Sequence, residues 1–253
     1  YLFGIYPLYD DEASLLTKYA AEKLKAKKIA FFFQNDAYGK SGLDGCKGRM
    51  KALKMQLVEE VSTEPGEKDL SSQILRLKKS GAEVVIMWVN PTSAVIALKT
   101  AATVGFKPQW MSSNTLSDYA LMNKITGGLW EGVITGAFAE APDSNTPLLK
   151  KYREAAKKYA PEERWGTFYM AGILFAEPLV EAIKKAGRNL STEAVLKQLN
   201  SMKNFQGIGP PVTWTPALHQ GTDAIMVQKC GPNSSYITLQ NWTANELATW
   251  KKK

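Results

Sequence analysis

Apolar runs alternate with amphipathic segments through the first half of the chain. The run 29–33 precedes a helical pattern at 40–53, and the fully apolar run 84–89 precedes Asn90, which has the character of a helix cap. A short third strand is predicted at 109–111. Strands that are buried on both faces and alternate with helices predict the α/β class with a mainly parallel sheet.

Two further elements complete this alternation, a strand at 56–61 and a helix at 70–79. The second half of the chain is different, with helical patterns at 148–159, 167–186 and 191–199. Pro178 lies inside the second of these and predicts a kink or a break. Three strands with a hairpin are then predicted, at 212–214, 224–229 and 236–240. The composition shift at 136–145 marks the best candidate for a domain boundary.

Polar side chains follow three of the predicted strands. Tyr38 comes after the first, Asn90 after the apolar run 84–89, and Asn114 and Thr115 after the strand 109–111. The carboxyl ends of parallel strands share one edge of a sheet, where open α/β sheets bind ligands. The sequence therefore predicts a site for a small polar solute, although a helix cap alone would account for Asn90 and a turn alone for Tyr38.

The motifs of several enzyme and cofactor classes are missing from the sequence. Gly39-Lys40-Ser41 resembles the end of a phosphate-binding loop, but Gln34 stands where the first glycine belongs. No GxGxxG follows a strand, so no dinucleotide cofactor is expected. His219 is the only histidine, and no nucleophile is paired with a base. We expect binding without catalysis, no catalytic residue, and no cofactor or metal.

Charge and cysteine content add little to this interpretation. The net charge of +8 comes from basic residues spread singly over helix faces, which argues against nucleic acid as a partner. Cys46 and Cys230 are the only cysteines, and they are interpreted as unpaired, with a bridge as the alternative. The longest apolar stretch is far too short to span a bilayer.

Several short motifs occur in an order that is similar to a known family. They are residues 36–39 (DAYG) after an apolar strand, 65–69 (PGEKD) before a helix, 102–105 (ATVG) before a strand, and 209–216 (GPPVTWTP) with 219–221 (HQG). Over nearly its whole length the chain resembles the type I periplasmic solute-binding proteins of ABC importers, in the branched-chain amino acid (Leu/Ile/Val-binding) branch.

The resemblance implies a fold of two parallel-sheet α/β lobes, joined by hinge crossings, that close on a solute. The second lobe would comprise residues 7–136 and 222–250, and residues 137–214 would be the returning helical part of the first lobe. The N-terminal βαβ half of that first lobe would be absent from this chain. The implied partners are a small solute and a membrane ABC permease, and the implied location is the periplasm or the extracellular face, with no signal segment present in this sequence.

The resemblance also assigns roles to four residues. Tyr38, Asn90 and, more loosely, Trp165 lie at or beside ligand-contacting positions, and Asn114 stands where amino-acid binders carry a carboxylate for the ligand's ammonium. Thr115 is a fifth candidate, on its position after the strand alone. Because a buried ammonium without a carboxylate partner is costly, the neutral Asn114 counts against an ordinary branched-chain amino acid. The ligand is expected to be an amino acid, an aromatic or other organic acid, or an amide. A ligand-sensing receptor domain or amide sensor of the same fold is the alternative function.

Overall fold

The computed structural model describes residues 2–188 and 190–252, and these form two compact units. The first unit comprises the chain up to Pro7, Phe138–Ala224, and the last residues from Trp250. The second unit comprises Leu8–Ala137 and Ile225–Thr249. No helix within the described residues is long and apolar enough to cross a membrane.

The second unit is built on a seven-stranded sheet in the order β2-β1-β3-β4-β5-β6-β7. In this order the five strands from β2 to β5 are parallel to one another. Strand β6 is antiparallel to β5, and β7 is antiparallel to β6. Parallel strands need helical crossovers, which explains the alternation in the sequence. The strands are β1 Ile29–Gln34, β2 Glu59–Thr63, β3 Val84–Trp88, β4 Gln109–Ser112, β5 Ile134–Ala137, β6 Ile225–Cys230 and β7 Tyr236–Thr243.

Five helices cover the two faces of this sheet. Strand β3 shows the arrangement, because Val85 and Met87 belong to one apolar core and Val84, Ile86 and Trp88 to the other. Helices α1 and α2 pack on the second of these cores and α3, α4 and α5 on the first. The helices are α1 Tyr9–Glu22, α2 Ala37–Ala52, α3 Ser71–Lys79, α4 Pro91–Thr103 and α5 Tyr119–Thr126.

Two elements of the second unit start three residues away from the predicted position. Helix α2 begins at Ala37 because Asp36 is its N-cap and accepts a hydrogen bond from the Gly39 amide at 2.9 Å. Tyr38 therefore lies on the first turn of α2. Strand β2 starts three residues later than predicted, since Leu57 packs against the core from the loop before it.

The first unit is mainly helical, with α6 Pro147–Tyr159, α7 Thr167–Ala186 and α8 Thr192–Asn200. Of the kink or break predicted at Pro178, the break is absent: α7 is one continuous helix through Pro178, and Leu174 and Ala182 on either side pack into the same core. The predicted strand 212–214 is wrong. Only Val212 pairs there, in a single bridge with Phe205. The residues after it are held by the side chain of Trp214, whose Nε1 donates to the Gly4 carbonyl at 3.0 Å.

Both cysteines are buried and free. Cys46 lies on α2 in the core that α1 and α2 cover, and Cys230 ends β6 in the core on the other side of the sheet. The sheet between them agrees with the interpretation that they are unpaired.

Helices α1 and α2 pack closely where Gly45 faces the Asp10 backbone. A Cβ atom at Gly45 would lie 2.0 Å from the Asp10 carbonyl oxygen, whereas a Cβ at Gly48, one turn further along α2, has no atom within 4 Å. We expect Gly45→Ala to lower the free energy of unfolding by more than about 2 kcal/mol, because backbone must move. Gly48→Ala should raise it by about 0.5–1 kcal/mol, since alanine favours a helix. Chemical denaturation of the two variants measures both, and equal effects would contradict the packing.

Candidate functional site

The carboxyl ends of β1, β3 and β4 meet at one edge of the second unit's sheet. Tyr38 follows β1, Asn90 follows β3, and Asn114 and Thr115 follow β4 in a short 3-10 turn, Asn114–Leu116. Hydrogen bonds join the end of β1 to the ends of both β3 and β4. The structure thus brings four of the five predicted site residues to the same edge.

A cluster of three hydroxyl groups forms the centre of this edge. Tyr38 Oη lies 2.5 Å from Ser113 Oγ and 2.7 Å from Thr115 Oγ1, and the last two atoms are 2.5 Å apart. Three hydroxyls carry three protons, and the three contacts use one proton each. The closed cluster, which we call the hydroxyl cluster, therefore offers only lone pairs to a further group. It is suited to a ligand that donates hydrogen bonds.

Aromatic packing holds Tyr38 in the hydroxyl cluster. Its ring lies 5.9 Å from the ring of the buried Trp88 and makes an edge contact with Tyr9 at 4.8 Å. Burial raises the pKa of Tyr38 well above its ordinary range, while its bonds to Ser113 and Thr115 act in the opposite direction. Tyr38 is consequently a neutral phenol at physiological pH.

Asn90 belongs to a separate polar network at the same edge. Its Oδ1 caps α4 by accepting from the Ser93 amide at 2.9 Å, and its Nδ2 donates to Gln34 Oε1 at 2.5 Å. Gln34 in turn donates to the Asp36 carboxylate. Capping and this network together account for Asn90, so it is a weaker candidate for ligand contact than Tyr38.

Asn114 is buried and bonded to a carboxyl group that the sequence analysis did not include. Its backbone N–H donates to Glu12 Oε1 at 2.7 Å, and its side-chain Nδ2 donates to Glu12 Oε2 at 2.5 Å. Glu12 lies on α1 and is fully buried. Burial raises its pKa to about 8, against the lowering effect of the two bonds from Asn114.

Helical periodicity contained the signal for Glu12. The residue precedes Leu16 by four positions and Tyr19 by seven, and both belong to the buried stripe of α1. A glutamate on such a stripe points toward the core. A buried carboxyl group needs polar partners, and the amide groups after β4 supply them.

The fifth predicted residue, Trp165, belongs to the first unit. Its Nε1 donates to the Pro142 carbonyl at 2.9 Å, and its ring lies 5.5 Å from that of Tyr169. His219, in the same unit, stacks on Phe3 at 4.0 Å and hydrogen bonds to the Asn200 side chain at 2.8 Å. Both side chains have structural partners within the first unit, and no cluster of potential metal ligands is found within the described residues.

A statistical model of the periplasmic binding protein family matches residues 1–235. This is most of the chain. The chain belongs to the periplasmic binding protein family.

Several curated relatives of this chain are named as Leu/Ile/Val-binding proteins. The Leu/Ile/Val-binding protein homolog 2 of Brucella abortus (strain 2308) is 30% identical over 207 residues, covering 78% of this chain and 53% of the relative. The Leu/Ile/Val-binding protein of Citrobacter freundii is 25% identical over 210 residues, covering 82% of this chain and 54% of the relative. The chain thus spans about half the length of the curated relatives it matches.

Solved structures show that the fold is that of type I periplasmic binding proteins. A branched-chain amino acid ABC transporter protein from Thermus thermophilus with bound valine superimposes with a TM-score of 0.85 at 20% identity, covering 100% of this chain and 69% of that one. A fatty acid ABC transporter substrate-binding protein from Thermomonospora curvata gives 0.80 at 22% identity, covering 97% and 64%. The names of these proteins describe transport and binding, not catalysis.

The buried Glu12 makes the stability of this family member depend on pH. Its folded pKa of about 8 lies above the ordinary 4.5. A raised pKa means that stability is fully present below the ordinary value and is lost as the pH rises through the folded value. We expect the unfolding free energy of the wild-type protein to fall by an amount on the order of a few kcal/mol between those two pH values. The Glu12→Gln variant should not show this fall, because its side chain does not ionise. Thermal unfolding of both proteins across this range is the measurement, and a constant difference between them would contradict the assignment.

Proposed function

We propose that this protein is the extracytoplasmic substrate-binding component of an ABC importer, taking an amino acid or a related small organic acid. Membership of the periplasmic binding protein family and the names of the Leu/Ile/Val-binding relatives support the proposal. The observation that carries it is the hydroxyl cluster at the carboxyl edge of the parallel strands, where α/β folds hold ligands. The solute contacts this edge of the second unit and is held in a cleft between two lobes, as the family resemblance implies.

The chemistry of the edge favours a ligand with hydrogen-bond donors. The hydroxyl cluster has lone pairs to offer but no free proton. The neutral Asn114 counted against an ammonium group in the sequence analysis. Glu12 adds a carboxyl group behind that residue, but both of its oxygens accept from Asn114, so it gives a ligand ammonium no direct carboxylate partner. The acceptor character of the hydroxyl cluster and the names of the Leu/Ile/Val-binding relatives still make a branched-chain amino acid the first ligand to test.

The ligand needs a direct experiment because the fold accommodates different ones. The Thermus protein is described with valine, and the Thermomonospora protein as a fatty acid transporter component. Mass spectrometry of solute retained by the gently purified intact protein identifies the natural ligand, and titration calorimetry with L-leucine, L-isoleucine and L-valine measures affinity. We expect at least one of the three to bind. Retention of a nucleotide, or no binding of any amino or organic acid, would overturn the proposal.

Tyr38 provides a test of where the ligand binds. Tyr38→Phe removes one member of the hydroxyl cluster but keeps the ring on Trp88, and we expect it to weaken binding about tenfold through the lost hydrogen bond. Tyr19→Phe is the matched control, because Tyr19 packs in the same core, on α1 about two turns beyond Glu12, and is not a member of the hydroxyl cluster. Calorimetry with the bound amino acid compares the two variants.

Two outcomes of this comparison would contradict the proposed ligand position. Unchanged affinity in Tyr38→Phe, or equal losses in both variants, would place the ligand elsewhere. Asn114→Glu is a poorer test, because the new carboxylate would lie against Glu12 and disrupt the fold by repulsion.

A further inference from the structure

Glu12 connects helix α1 to the turn that carries two members of the hydroxyl cluster. Its two carboxyl oxygens accept from the backbone N–H and the side chain of Asn114. Asn114 stands between Ser113 and Thr115, whose hydroxyls meet Tyr38. Any group that fixes the backbone of Asn114 therefore also fixes the positions of both neighbouring hydroxyls.

The same turn is closed from its other side by Ser117. The Asn114 carbonyl accepts from Ser117 Oγ at 2.6 Å and from the Ser117 amide at 3.0 Å. The turn is thus held through both its N–H and its C=O, and only the N–H side depends on an ionisable group. Glu12 is the element of this clamp that can change with conditions.

The fold leaves space for the carboxyl group at a specific glycine. A Cβ atom at Gly136 on β5 would lie 2.0 Å from Glu12 Oε1, so no larger residue fits there without displacing the carboxyl group. Strand β5 and helix α1 therefore form a built compartment for Glu12.

We propose that Glu12 is a positioning residue of the ligand site, which holds the Ser113–Thr115 turn against Tyr38 and makes ligand affinity depend on its own ionisation. The inference rests on the proposed function, since it concerns the same edge. Glu12 is fully buried and acts through Asn114, without touching the ligand.

Ionisation changes how well Glu12 holds the turn. The carboxylate accepts both N–H groups with charge assistance. The protonated acid has one oxygen that carries a proton, and that oxygen then opposes the Asn114 N–H group facing it. The turn must shift or the amide must rotate. Because the raised pKa of about 8 places this change near physiological pH, we expect binding to strengthen as the pH rises through that value.

Ionisable groups around Glu12 lie on α1, α2 and β6. Strands β3 and β5 and the 3-10 turn carry no ionisable side chain. Tyr38 faces Glu12 from α2 and has a strongly raised pKa, and Tyr9 packs beside Tyr38. On β6, Lys229 pairs with Ile134, two residues before Gly136. Exposed Lys40 and Asp44 on α2 point to solvent.

The test measures the affinity of the intact protein for whichever of L-leucine, L-isoleucine and L-valine binds, from about pH 6 to about pH 8.5. Wild-type affinity should rise about three- to tenfold across this range. Glu12→Gln should bind with an affinity that does not change with pH, because its amide can donate to a rotated Asn114 at every pH. Asp11→Asn is the matched control: Asp11 is the adjacent buried acid on α1, is bonded to Asn245, and should leave the pH dependence of binding intact.

The outcomes separate this inference from the proposed function. Binding that persists with the same pH dependence in wild type and Glu12→Gln, or that shows none in wild type, overturns the role of Glu12 and leaves the proposed function standing. Loss of the pH dependence in Asp11→Asn as well would also overturn it. If the intact protein neither retains nor binds any amino or organic acid, the proposed function fails and this inference fails with it.

Discussion

The close approach of helix α2 to its neighbours is the constraint on which the site depends. Three glycines on one face of the helix permit it: a Cβ at Gly39 would lie 1.9 Å from the Gln34 carbonyl oxygen, at Gly42 2.6 Å from the Trp88 ring, and at Gly45 2.0 Å from the Asp10 carbonyl. The helix therefore lies directly on β1, β3 and α1. This packing places Tyr38, on its first turn, within hydrogen-bond reach of the residues after β4.

A second constraint is the burial of polar groups at the same place. Glu12, Ser113 and Asn114 are buried, and each has hydrogen-bond partners at the strand ends. Burying a carboxyl group without partners is costly, and even with two partners its pKa is raised to about 8. The protein thus has a destabilising group at its candidate site, as proteins commonly do where structure serves binding and not stability alone.

The sequence predicted the elements with strong periodicity and missed those set by local or long-range contacts. The run 84–89 has the composition of a strand buried on both faces, and β3 is one. The start of α2 was missed because the cap at Asp36 lies inside a polar stretch that also fits a loop. The segment 212–214 is β-branched and aromatic, but its partners are side-chain and backbone groups distant in sequence, such as Gly4. No periodicity records such a contact.

Some features of the candidate site could likewise be predicted from the sequence, and others could not. Strand ends could be located from the pattern, so Tyr38, Asn114 and Thr115 were named from the sequence alone, and the structure brings them to one edge. The hydrogen bonds that join them depend on the register between β3 and β4 and on the packing of α1, which sequence patterns do not specify. Glu12 shows the consequence: its position on the buried stripe of α1 was readable, but its partner, 102 residues away, was not.

Proteins that share this fold are described with different ligands. Two neighbours with TM-scores of 0.85 and 0.80 are described with different ligands, valine for one and fatty acid transport for the other. Residues after strand ends can vary because they lie beyond the two apolar cores that stabilise the sheet. In this chain the side-chain amide of Asn114, at the strand end, donates a hydrogen bond to the carboxyl group of Glu12 on α1. That carboxyl group is buried behind Asn114 and shielded from solvent. A charge in that position has its main effect through the geometry of the turn, and its protonation state then becomes part of the recognition of the ligand.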